Sequence, residues 1–186
     1  MTVKFATFET ALGWCAIAWS EAGIVRGWLP DSEAAVRVSV ARRCPEAVEA
    51  EATGFAAEAA RGVKALMAEG RADLSDVPLD LTGIAPLHAQ LYDIARAIPP
   101  GQTLTYGEAA EKLGDKNLAR EVGRALGLNP FPPIVPCHRI LAASGKTGGF
   151  SAPGGVETKL RLLNVEKART SAAPSLFGDL PLAVRR

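Results

Sequence analysis

The chain has 186 residues, 48% apolar and 22% charged, with a net charge of +1, which supplies a packed core and excludes a disordered chain. No run approaches the roughly 20 consecutive apolar residues of a membrane span, and the start, Met1-Thr2-Val3-Lys4-Phe5, lacks the basic flank and apolar run of a signal peptide. Three cysteines and two histidines without a Cys-x-x-Cys pair exclude a disulfide framework, argue against a structural zinc site, and fit reduced thiols in a cytoplasm.

The first third reads as three strands and two helices. Residues 3–8, 14–20 and 24–29 are rich in β-branched and aromatic side chains, and Leu12-Gly13 and Glu21-Ala22-Gly23 separate them as turns. Asp31-Ser32-Glu33 opens a helix that stops before Pro45, and an Ala-rich helix over residues 55–69 ends at Gly70. Residues 77–81 form a short apolar run of strand type. Cys15 and Cys44 read as small packed side chains. Thr82-Gly83-Ile84-Ala85-Pro86 marks a boundary, giving an α/β unit over residues 1–83 and a helical unit over residues 84–170.

Leu87, Leu91, Ile94, Ala95 and Ile98 then form one helical stripe, stopped by Pro99-Pro100-Gly101. Thr105-Tyr106-Gly107-Glu108 is a capping box for a short helix that Gly114 closes. Asn117 is a candidate N-cap for a second short helix, with Leu118, Val122 and Ala125 facing inward. Two short helices around a tight turn make a helix-turn-helix candidate, either packing or reading DNA. Charge favours a polyanion on this side: residues 1–85 hold 8 Lys/Arg against 12 Asp/Glu, whereas residues 86–186 hold 13 against 8.

Four prolines between Pro130 and Pro136 predict a stiff, extended segment leading into Cys137-His138-Arg139-Ile140-Leu141. A thiol becomes a strong nucleophile as thiolate, which an adjacent imidazole promotes, and a preorganised segment supplies the fixed geometry that attack requires. A buried cysteine beside a structural histidine, or a Cys-His hydrolase, fits the same residues. A Gly/Ser-rich loop over residues 144–155 follows, then a helix from near Val156 with Leu160, Leu163 and Lys167 on one side, then a loosely tethered tail over residues 171–186.

Pro136-Cys137-His138-Arg139-Ile140, with Asn129-Pro130 and Ile134-Val135 before it, resembles the active-site signature of the O6-alkylguanine-DNA alkyltransferases. The resemblance runs in order through the second half: capping-box helix with a tyrosine, arginine-bearing second helix, Asn-Pro, Pro-Cys-His-Arg, glycine loop, and a helix ending in glutamate. In the first half it rests on strand order and the Gly13-Trp14 turn. It implies an α+β fold, with a ribonuclease H-like α/β unit followed by a winged-helix-like, helix-turn-helix alkyltransferase unit. The implied activity is DNA repair: one irreversible transfer of a methyl or other alkyl group from O6-alkylguanine, with O4-alkylthymine as a second substrate, to Cys137.

The same resemblance assigns roles. His138 takes the thiol proton through a water, Glu166 orients that histidine, and Asn129 bonds near the thiol and braces the loop. Arg120 fills the gap left by a flipped base, and Ala119 and Gly123 beside it let the backbone approach the minor groove. Tyr106 pushes the flipped nucleotide's phosphate, Ser151 bonds the guanine oxygen, and Phe150 and Pro136 complete the substrate side. The implied partner is double-stranded DNA containing O6-alkylguanine, acted on by a monomer without metal or diffusible cofactor.

Some residues depart from the family pattern. Phe150 stands where many members have tyrosine, Ala152-Pro153-Gly154-Gly155 alters the lid, and Leu87-His88 replaces a common Phe-Gln pair. Glu121 puts a carboxylate beside Arg120, which is expected to weaken affinity for phosphate. Arg139 reads as a structural cation that pairs near the boundary between the two units. In the tail, Ser175-Leu176-Phe177 resembles short peptides that dock on sliding clamps. The rival functions are an alkylation-damage sensor or DNA-binding regulator of the same fold, and a cysteine hydrolase of small molecules.

Overall fold

A computed structural model describes residues 2–143 and 147–168. The tail, with Ser175-Leu176-Phe177, and three residues of the glycine loop lie outside the described residues.

Strands β1 (Lys4–Thr10), β2 (Gly13–Trp19) and β3 (Ile24–Asp31) pair antiparallel, and β4 (Val48–Glu49) pairs parallel with β1, giving the order β3-β2-β1-β4. Period-two alternation sorts the central strand. Ala16 and Ala18 face α1 (Glu33–Arg43) in a cluster with Trp28, Val36 and Val40. Cys15, Ile17 and Trp19 face α2 (Gly54–Glu69) with Ala59, Val63 and Leu66. With a helix on each face β2 is buried on both sides, so its sequence reads as a continuous apolar run. Ser32 caps α1 by accepting from the Ala35 N–H, and Gly70 ends α2 in the left-handed conformation.

The larger apolar cluster continues past residue 84 without interruption. It takes in Leu91, Tyr92 and Ala95 from α3 (Pro86–Arg96) and Val122, Ala125 and Leu126 from α5 (Ala119–Gly127). Helix α4 (Tyr106–Lys112) starts at the predicted capping box, with both reciprocal hydrogen bonds formed. Helix α6 (Gly155–Val165) packs on α2, and β5 (Leu104–Thr105) pairs parallel with β6 (Ile140–Leu141). No helix among the described residues is long and apolar enough to cross a membrane.

Several local expectations are corrected. Residues 77–81 contribute one bridge, Leu79 to Ile24, because Pro78 and Asp80 bond only the edge of β3. Asp115, not Asn117, caps the second helical segment: its Oδ1 accepts from the Asn117 N–H at 2.8 Å and opens a 3-10 turn that runs into α5. The proline segment is a buried turn rather than an extended strand, with Val135 N–H donating to Phe131 O at 2.9 Å. The inner face of α6 is Thr158, Lys159, Leu162 and Leu163; Leu160 is half-buried, and Lys167 is exposed beyond the helix.

One contact ties the sheet to that proline turn. Gly27 N–H donates to Pro130 O at 2.8 Å, and a Cβ at Gly27 would collide with the Pro132 carbonyl. Gly27→Ala is therefore expected to destabilise the fold by about 1–3 kcal/mol, the usual cost of overpacking against backbone. Thermal unfolding checks this, and an unchanged midpoint would show that the turn yields freely.

Candidate active site

A cleft of about 870 Å³ runs between α5, the proline turn, β3 and α1, and Cys137 lies on its wall. Cys137 opens a single 3-10 turn, Cys137–Arg139, so consecutive residues point in different directions. Cys137 lines the cleft and is half-buried as a residue, whereas His138 and Arg139 are buried. Asn129 holds the turn from two sides: its amide donates to Val135 O at 2.9 Å, and its oxygen accepts from the Phe131 N–H at 2.9 Å. Phe131 in turn meets Tyr92 edge-on, with ring centroids 5.9 Å apart, and the Tyr92 hydroxyl donates to Ala125 O of α5.

His138 and Arg139 belong to a buried ion network. His138 Nε2 lies 2.9 Å from Glu166 Oε1, and the Arg139 guanidinium donates to both Glu166 oxygens and, at 2.6 Å, to Ile98 O. Burial opposes the Glu166 charge, but hydrogen bonds from His138 and Arg139 outweigh it and hold the carboxyl at about 2. Burial pushes the His138 pKa below its usual value, so the ring is neutral near pH 7. With an ionised carboxylate at Nε2, that nitrogen carries the proton and Nδ1 is left as a proton acceptor.

Burial raises the Cys137 thiol pKa, against the Asn129 hydrogen bond, the charge of Lys159 and nearby backbone N–H groups. The resting sulfur is a protonated thiol, with groups in place to support the thiolate. Lys159 is a site residue that sequence reasoning missed. It is buried on α6, donates from Nζ to Ile140 O at 2.7 Å, and sits 5.8 Å from the Phe150 ring centroid. Desolvation lowers its pKa to about 8, which leaves it charged at pH 7. The available signal was a lysine in register with Leu162 and Leu163 on an apolar helix face. Lys159→Met is expected to slow iodoacetamide alkylation of Cys137 at pH 7 about tenfold, because the ammonium that favours the thiolate is gone. Peptide mapping separates Cys137 from Cys15 and Cys44, and an unchanged rate would show that the ammonium does not act on the sulfur.

The remaining expected residues fall in two groups. Tyr106, Ala119, Arg120, Gly123, Phe150 and Ser151 line the cleft with Cys137. Gly148, at φ +66°, passes so close to Tyr106 that a Cβ would sit 3.1 Å from its hydroxyl, which explains a glycine there. Pro136 is buried and does not line the cleft; Pro132 does. Glu121 is not a free carboxylate beside Arg120. Arg124 binds it at 2.8 Å and His88 Nε2 at 3.1 Å, and these bonds hold its pKa near 2. Its charge is locally compensated, which removes much of the expected penalty toward phosphate.

Residues 86–168 match the family model for the DNA-binding domain of 6-O-methylguanine DNA methyltransferase. A DNA base-flipping protein of Thermus thermophilus is 39% identical over 141 residues, covering 76% of this chain and 92% of that protein. The chain belongs to the O6-methylguanine-DNA methyltransferase family. A methylated-DNA–protein-cysteine methyltransferase of Mycobacterium tuberculosis is 44% identical over 102 residues, covering 55% of this chain and 60% of that relative's length. The solved structure of Mycobacterium tuberculosis OGT in complex with DNA superposes with a TM-score of 0.72 at 30% identity, covering 91% of this chain and 96% of that one. The mixed α+β architecture is thus that of the methyltransferase family, over both the sheet and the helical segment.

Proposed function

We propose that the protein repairs DNA by moving a methyl or other alkyl group from O6 of guanine in double-stranded DNA to Cys137, once per molecule. In this reading residues 1–83 form a ribonuclease H-like unit, and residues 84–170 form a helix-turn-helix alkyl-acceptor unit of winged-helix type. The protein works as a monomer in the cytoplasm. The observation that carries the reading is a cysteine on a cleft wall, next in sequence to a buried His138–Glu166–Arg139 network. The His138–Glu166 hydrogen bond supports the reading of His138 as a base oriented by a third group.

The steps follow from the groups present. Helix α5 lies at the minor groove, where Ala119 and Gly123 give a low profile and Arg120 occupies the gap left by the extruded base. Tyr106 stands beside the flipped nucleotide's phosphate. The Cys137 proton passes through a water to Nδ1 of the neutral His138. The thiolate, supported by Asn129 and Lys159, attacks the alkyl carbon in line; the S–C bond forms as the C–O bond breaks. The electron pair stays on guanine O6, where the Ser151 hydroxyl donates a hydrogen bond, and the proton held on His138 passes to the restored guanine, which remains in the strand. The thioether has no leaving group for a second exchange, so the protein is consumed.

A duplex carrying one labelled O6-methyl group tests this. One label per protein chain is expected. Tight binding without label would indicate a sensor, and repeated turnover on another substrate would indicate a hydrolase. Arg120→Ala is expected to slow transfer from duplex at least about tenfold, because flipping costs a few kcal/mol that the inserted side chain helps to offset. Transfer from the free base should change much less; equal losses on both would remove Arg120 from base extrusion.

A further inference from the structure

Part of the cleft wall belongs to the sheet side of the molecule. Arg26 of β3 and Arg43 at the end of α1 line it together with Tyr106 and Arg120. Their placement runs against local composition, since residues 1–85 carry a net charge of −4, from 8 Lys/Arg and 12 Asp/Glu. Three arginines elsewhere are held by carboxylates, Arg37 by Glu33 and Glu49, Arg124 by Glu121 and Arg139 by Glu166, and Arg96 and Arg161 are bonded to backbone carbonyls. Among the described residues no ion pair joins Arg26, Arg43 or Arg120 to a carboxylate. Arg26 lies near the Cys44 thiol and favours its ionised form, and a thiol is a weak acceptor that leaves most of the five guanidinium N–H donors available. The acidic residue on the same wall, Asp31, accepts from the Ser32 N–H at 2.7 Å.

The wall is fixed relative to the nucleophile. Gly27, next to Arg26, bonds Pro130 O and abuts Pro132 in the turn that carries Cys137. Trp28 Nε1 donates to Ser39 Oγ at 3.1 Å and locks α1, with Arg43 at its end, onto β3. Guanidinium groups with unspent donors, held at fixed distance from a site that handles a nucleotide, match phosphate oxygens in charge and fork geometry.

We propose that Arg26 and Arg43 form a second phosphate-binding wall, in the cleft they share with Tyr106 and Arg120, which grips the backbone of the DNA strand carrying the extruded nucleotide. This rests on the repair reading above and extends it: the sheet unit becomes part of the DNA interface, and the strand is held by both units.

The test is affinity for a duplex carrying O6-methylguanine, measured by fluorescence anisotropy over a salt series in the full chain carrying Cys137→Ser, so that no transfer disturbs the equilibrium. Losing two phosphate contacts should lower the slope of log affinity against log salt by about 2. For Arg26→Ala/Arg43→Ala, the loss of affinity between about 50 and 200 mM salt should be about tenfold smaller than for the parent. The charge-conserving pair Arg26→Lys/Arg43→Lys should keep most of the slope, which separates charge from folding. Arg61→Ala, an exposed cation of α2 away from the cleft, should keep all of it. A parental slope in the double-alanine variant, or the same loss in Arg61→Ala, overturns the wall. Absence of label on the unsubstituted protein would instead count against the repair reading, so the two failures are distinguishable.

Discussion

Cys137→Ser is expected to eliminate labelling of the protein by methylated duplex, slowing transfer by at least about a thousandfold, or about 4 kcal/mol of barrier. Two quantities set the size of the effect. A thiol, even one raised by burial as Cys137 is, reaches the anionic form far more readily than an alcohol, whose proton His138 cannot hold against such a gap. Oxygen is also the harder and less polarisable nucleophile toward a saturated carbon. The surrounding geometry does not depend on sulfur: Asn129 bonds Val135 O and Phe131 N–H, and His138 bonds Glu166. DNA affinity of the variant should therefore stay within a few fold of the parent. Residual stoichiometric label would place the acceptor elsewhere, on Cys15 or Cys44.

Glu166→Gln is expected to be the most damaging substitution for stability. Glu166 is 7% exposed and is the shared partner of two buried groups, His138 at 1% and Arg139 at 5%. Glutamine keeps the shape but removes the charge that compensates the Arg139 guanidinium. Leaving a buried cation uncompensated costs about 3–5 kcal/mol, and transfer should fall about a hundredfold or more as His138 loses its orienting partner. The pH dependence has a definite sign. The folded-state pKa of Glu166, about 2, lies below its ordinary value of 4.5. Its contribution is thus fully present above about pH 4.5 and is lost as pH falls toward 2. Urea unfolding at pH 7 and pH 3 should show wild type losing stability on acidification and Glu166→Gln losing less. Equal midpoints for the two proteins at pH 7 would mean that Arg139 finds its compensation elsewhere.

The sequence carried the elements whose signals are local. The Ser32 and Thr105 caps, the end of α2 at Gly70 and the three-strand meander are written in contiguous residues, and each appears within a residue or two of its expected place. What sequence could not place depends on contacts made at long range. Strand β4 exists because Val48 N–H and Ala50 N–H find Val3 O and Phe5 O. The proline segment turns instead of extending because Asn129 bonds both its ends and its apolar side chains fill the core between α3 and α5. Lys159 was hidden for a related reason: a cation within an apolar stripe reads as a surface residue until the Ile140 carbonyl and the Cys137 cleft are found around its head. Arg26 and Arg43 show no motif at all; the packing of Gly27 on the proline turn and the Trp28–Ser39 hydrogen bond that holds α1 on β3 bring them to the cleft.

The most direct measurement is intact-protein mass spectrometry after incubation with an equimolar duplex containing O6-methylguanine, followed by peptide mapping. One added CH2 group per chain is expected, located on the sulfur of the peptide spanning Pro136-Cys137-His138-Arg139. An unchanged mass with the duplex bound, or the increment on another residue, would contradict alkyl transfer to Cys137.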